Sequence, residues 1–261
     1  MSRNPTNSTT LLPSDPNDKF YPEALSLEWR FTHNLLYLIG GLSYLLGSIC
    51  YLPDLLDETS GAVLFTIGSL AFVFADAFEL FKNNHVGCWD YKSYEKSYEY
   101  KVGKYINYPA DTCLGSYFRA ENGINFALSV TGSFFYLVGS ILFFPHLEIT
   151  DGTIVFIFAS LIVVVSQSWK LYRAAYNIED QTFNLMNFSR DLPAIGIDAG
   201  AGLGGLFYAI GSIYFLPEYD VSNAVETTAA IWFIFGGIAF TISGVFMIYR
   251  YFFTRNYPHD E

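Results

Sequence analysis

Apolar residues run in six long stretches: Leu35–Leu52, Gly61–Ala75, Gly123–Pro145, Gly152–Trp169, Ala199–Leu216 and Thr227–Tyr249. A helix crosses a bilayer with roughly 17–25 predominantly apolar residues, so the pattern predicts six transmembrane spans. The second span holds only if Asp76 and Glu79 are tolerated near its end. Polar breaks between the stretches alternate short and long, which pairs the spans into helical hairpins. One phrase closes the first span of each pair: GSICYLP at 47–53, GSILFFP at 139–145 and GSIYFLP at 211–217.

Extended backwards, the phrase reads Gly-x-x-x-Tyr-x-x-Gly-Ser-Ile. It places Gly40, Tyr44 and Gly47, then Gly132, Tyr136 and Gly139, then Gly204, Tyr208 and Gly211 at steps of four and three, on one helical face. Pro53, Pro145 and Pro217 follow, and proline ends a helix because it lacks an N–H and clashes with the preceding turn. The returning spans align without gaps as Val63 to Lys82, Ile154 to Arg173 and Ile231 to Arg250. Small residues recur seven apart within them, at Gly68 and Ala75, Ala159 and Ser166, Gly236 and Ser243. The pattern predicts an all-α polytopic membrane protein, six transmembrane helices as three parallel helical-hairpin repeats.

The organisation expected along the chain is a disordered polar tail (1–22), hairpin one (23–84), a Tyr-rich interfacial insert (85–118), hairpin two (119–176), a connecting loop (177–190), hairpin three (191–254) and a C-terminal tail (255–261). In lipid no hydrophobic force drives helix onto helix, so small residues that admit a neighbouring backbone hold the pair together. The glycine faces are therefore assigned to packing, each against the small-residue stripe of its returning helix. The fifth span, with Gly196, Gly200, Gly202, Gly204 and Gly205, is expected to be the most tightly packed, central helix.

The motif resembles the YrhK-like domain family, membrane hairpins with a Gly-x-x-x-aromatic-x-x-Gly-Ser-Ile-x-Phe-Phe helix followed by a Gly-x-x-x-Phe-x-x-Gly-Ser helix. GSFFYLVGSILFF (132–144) is similar to the first half and GAVLFTIGS (61–69) to the second. The resemblance extends over the three hairpins, although the returning Gly-Ser becomes Ala159-Ser160 in the second and Gly236-Gly237 in the third. The family carries no assigned activity. The resemblance implies a fold and a membrane address and lends no active site.

Charge adds a topology. The 14 Lys and Arg lie in the tails and the long connections, none in the three tight turns, which instead hold acids such as Asp54, Asp57, Glu148, Asp151, Glu218 and Glu226. The positive-inside rule then puts both termini on the cytoplasmic side, in a membrane the sequence does not name. Parallel hairpins lack the inverted repeats of alternating-access transporters. A net charge of −11 gives phosphates no basic patch, which argues against a nucleic-acid partner. The expected partners are the lipid bilayer and other membrane-protein subunits or a second copy of the chain.

Candidate chemistry is sparse. Ionisable groups inside a membrane are functional suspects by default; here they are Asp76, with Gln167 in the matching position of the second hairpin, and Asp198. These three are read as a candidate ion or polar site, as interhelical hydrogen-bonding residues, or as groups hydrated near the cytoplasmic interface. His85, Cys88 and Cys113 show no fourth ligand, so no metal is expected, and the two thiols are either free or bridged. No haem-type histidine pair faces another in mid-span, and no cofactor is expected. GAGLGG (200–205) follows no strand and sits inside a span, so it is not a phosphate loop. No nucleophile with a base can be argued, and the chain is expected not to be an enzyme. The sequence favours a structural or assembly component of a membrane complex, with a channel or small-solute transporter as the alternative.

Overall fold

The computed structural model describes residues 27–53, 57–82, 121–177, 182–219 and 222–253. The N-terminal tail, the insert with His85, Cys88 and Cys113, and the C-terminal tail lie outside the described residues. The fold is all-helical, carried by α1 (Leu27–Cys50), α2 (Glu58–Lys82), α3 (Glu121–Leu142), α4 (Ile149–Ala175), α5 (Leu192–Tyr214) and α6 (Asn223–Phe253). α1, α3 and α5 each stop three residues before the proline of the repeated phrase.

Five of these helices are long and apolar enough to cross a membrane; α3 contributes a shorter apolar stretch, Ala127–Leu142. α1 begins eight residues before its apolar window, carrying Arg30, His33 and Asn34 into the protein as buried groups.

The stretch expected as a plain connecting loop has structure of its own. Tyr176–Asn177 pairs antiparallel with Thr182–Phe183, and a 3-10 turn follows at Leu185–Arg190. Asp191 then caps α5: its side chain accepts from the Ala194 N–H at 3.2 Å, and Pro193 sits in the first turn, where its missing N–H leaves no intrahelical bond unmade. The same carboxylate takes Nε and Nη2 of Arg250 at 3.0 and 2.8 Å, which clamps the start of α5 to the last turns of α6.

Each helix packs on the next in chain order, and α6 returns to pack on α1, so the six close into a ring. The closing seam is tight. A Cβ at Gly237 would stand 2.5 Å from the Leu45 Cα, and one at Gly41 would stand 2.9 Å from the Thr241 backbone nitrogen. Backbone cannot rotate away, so glycine is required on both sides of this seam. The expectation that α5 is central is corrected: α5 lies between α4 and α6, and no described helix runs up the middle. Small residues made α5 look central, but they serve close approach to two flanking helices instead.

Side chains fill the middle in tiers of three. Tyr44, Tyr136 and Tyr208 form one tier, with centroids 5.7, 5.1 and 6.4 Å apart and the rings edge to face. Phe65, Phe156 and Phe233 lie beside it, followed by Tyr51, Phe143 and Phe215; Phe72, Val163 and Phe240 lie on the other side. Edge-to-face rings at these distances add roughly 0.5–1.5 kcal/mol per pair beyond burial. The outer faces carry exposed Phe74, Phe158, Val165, Phe235 and Val245. Apolar side chains pointing outward suit a lipid surround.

Candidate functional site

The repeated glycines, tyrosines and serines meet at the ring's centre. A Cβ at Gly47 would stand 2.7 Å from the Phe65 ring, one at Gly139 2.7 Å from Phe156 and one at Gly211 2.5 Å from Phe233. The backbones also approach, since a Cβ at Gly68 would stand 3.0 Å from the Gly40 carbonyl oxygen. Yet the nearest atoms across the helix pairs are ring carbons rather than small side chains. The sequence carried that signal in the matched phenylalanines 65, 156 and 233, which the small-residue reading passed over.

The three tyrosine hydroxyls are buried in an apolar bundle, where an unmade hydrogen bond is costly. Serines answer them. Tyr44 OH lies 2.7 Å from Ser69 Oγ, Ser69 Oγ lies 2.8 Å from Ser140 Oγ, and Ser140 donates to the Tyr136 carbonyl at 2.7 Å. Tyr136 OH lies 2.8 Å from Ser160 Oγ. In the third pair the matched serine is Gly237, and Tyr208 turns to the first pair: its hydroxyl lies 2.8 Å from Ser48 Oγ and 3.1 Å from the Tyr44 carbonyl, to which Ser48 also donates at 2.6 Å. Ser212, the match of Ser48 and Ser140, is fully buried and its Oγ has no hydrogen-bond partner. The hydroxyl pattern thus links hairpin one to both of the others and stops at Ser212.

A second polar group lies off the axis, where α2, α3 and α4 meet. Asp76 on α2 accepts a hydrogen bond from the Ser133 hydroxyl on α3. One turn earlier on the same face, Ser129 Oγ lies 3.1 Å from Ser166 Oγ on α4. Gln167, 6% exposed, follows Ser166, and its Oε1 accepts no hydrogen bond. Asp76, Ser129, Ser133 and Gln167, with Tyr37, Phe72, Tyr136 and Val163, line a cavity of about 30 Å³. One water needs roughly 10–15 Å³ of such space.

The structure brings Asp76 and Gln167 to one cavity and sets Asp198 elsewhere. Asp198 lies on α5, 3.8 Å from Lys170 Nζ of α4, and is not among the residues lining the cavity. The third matched position, Gly244, packs on Leu38, with a would-be Cβ 2.8 Å from Leu38 Cδ2. Only two of the three positions in this matched column are therefore polar.

Sequence reasoning missed a third cluster, at the start of α1. Arg30 is 3% exposed and donates Nη1 to the Tyr251 carbonyl at 3.1 Å, with Cζ 5.9 Å from the Phe252 ring centre. His33 Nδ1 lies 3.1 Å from Tyr251 OH, and its ring stacks on Trp29 at 4.9 Å. The signal was periodicity: residues 30, 33, 37, 40, 44 and 47 continue one helical face upstream of the apolar window. An arginine near a helix C-terminus, beside carbonyls, suits the dipole there.

Among the described residues no three His, Cys, Asp or Glu side chains stand together as a metal site. No curated protein and no solved structure matches the chain. Residues 28–83, which hold α1, its turn and α2, match the family model described as YrhK-like protein.

Proposed function

We propose that the protein is a six-span integral membrane protein of three tandem YrhK-like hairpins, serving as a structural or assembly component of a membrane complex. The family match supports the first hairpin directly. The extension to the others rests on shared chemistry: the same glycines seat the same rings, and the three matched tyrosines meet at one axis. A lone hairpin buries little and would assemble with copies of itself, and three fused copies reproduce such an assembly inside one chain.

The observation that carries the scaffold reading is the filled axis. A channel through the ring would have to part three fully buried tyrosines and the phenylalanine tiers beside them. The reading assigns no catalytic role. It places both termini and the long 83–118 segment on the cytoplasmic side, by the distribution of Lys and Arg.

The test is the mass of the particle extracted from its native membrane in a mild detergent. A defined hetero-assembly is expected, and its other subunits would name the process. A particle containing only this chain would remove the main support for an assembly role. Reporter tags at both ends and in the 53–57 turn test the topology, with the ends accessible from the cytoplasm and the turn from the opposite side.

A further inference from the structure

Four of the polar side chains around the cavity at α2, α3 and α4 carry oxygen acceptors. Asp76 brings a carboxylate, Ser129 and Ser133 bring hydroxyl oxygens, and Gln167 brings an amide oxygen that no donor reaches. Ser133 gives its proton to Asp76 and Ser129 lies against Ser166, which leaves lone pairs on both hydroxyl oxygens. A carboxylate, hydroxyls and an amide carbonyl are the donor set of a hard cation, whereas softer metals select imidazole and thiolate.

The charge and size of that cation follow from the lining. Among the described residues around the cavity, Asp76 is the single carboxylate. Calcium takes six to eight oxygens, commonly from several carboxylates, and magnesium demands a near-ideal octahedron. A cavity of about 30 Å³, where one water needs roughly 10–15 Å³ of such space, has room for one small ion. We propose that this cavity binds a single monovalent alkali cation of sodium size, held by Asp76, Ser129, Ser133 and the Oε1 of Gln167. The bound ion ties α2 of the first helix pair to both helices of the second. Asp198 takes no part. The proposal goes beyond the scaffold reading and does not depend on it.

The probe is radioactive sodium, offered to the full-length protein purified in mild detergent in choline chloride. Saturable retention of about one ion per chain is expected, displaced by unlabelled sodium. Asp76→Asn is expected to weaken retention at least tenfold. Gln167→Leu is expected to weaken it several-fold while its melting temperature in choline chloride stays at or above the wild-type value, which separates lost binding from lost folding. Background retention by the wild type would leave the cavity to water and overturn the proposal, as would retention that Gln167→Leu keeps in full. Should Asp76→Asn fail to fold, Gln167→Leu alone decides.

Discussion

The middle of the ring and its wall at α2, α3 and α4 treat buried polar groups in opposite ways. In the middle, Tyr44, Tyr136 and Tyr208 each find a serine within 2.8 Å, and large rings close the space around them. At the wall the groups are fewer and somewhat more exposed, a cavity remains and the Gln167 oxygen is left over. The unpaired hydroxyls of the middle, Ser212 and Tyr51, line no such cavity. A surplus acceptor beside a void marks a place arranged for something else.

The contrast is broken most severely by removing a ring from the middle. Tyr208→Ala is expected to cost about 3–5 kcal/mol, the scale for truncating a buried aromatic, read as a large drop in melting temperature in detergent. Ser69→Ala cuts the relay from Tyr44 to Ser140 without opening a large void. Its expected cost is about 0.5–1.7 kcal/mol, the range for interhelical hydrogen bonds in membrane proteins.

The wall answers with the opposite sign. Gln167→Leu removes an oxygen that nothing satisfies, so in sodium-free buffer the variant is expected to equal the wild type or exceed it by up to about 1 kcal/mol. A loss of stability there would mean that Gln167 serves packing, and the distinction between wall and middle would collapse. Smallest is Ser212→Ala, expected to lie within about 0.5 kcal/mol of wild type because its hydroxyl bonds to nothing. Ser48→Ala, measured in parallel, removes the partner of Tyr208 and is expected to cost about 1 kcal/mol; equal effects at the two serines would contradict the asymmetry of the hydroxyl pattern.

Much of the fold was legible in the sequence because membrane helices write their periodicity plainly. Positions 40, 44 and 47 and their counterparts declared one face, and the prolines set where each odd-numbered helix stops. Local pattern does not carry the closing geometry. That α6 meets α1 depends on Gly41 and Gly237, two glycines unremarkable among the 21 of the chain. For the same reason α5 looked central on its glycines alone, although glycine density reports a close neighbour and not a position at the axis. The candidate site was half legible. Asp76 and Gln167 stood in one matched column of the returning helices, whereas Ser129 and Ser133 belong to α3 and join them only through packing. Asp198 shared their chemistry in the sequence and not their location.

The seam between α1 and α6 also sets the order in which the protein can be made. Ser48 and Tyr208 are 160 residues apart in the chain, so their bond waits for nearly the whole of it. Loop-closure entropy rises only slowly with length, which makes such a late contact affordable at equilibrium but slow to reach. Until α5 and α6 are in place, the Gly41 face of α1 and the Ser48 hydroxyl lie uncovered. A nascent chain is therefore most vulnerable to wrong partners in the interval before its last two helices arrive, and the docking of α5 and α6 is the step that seals it.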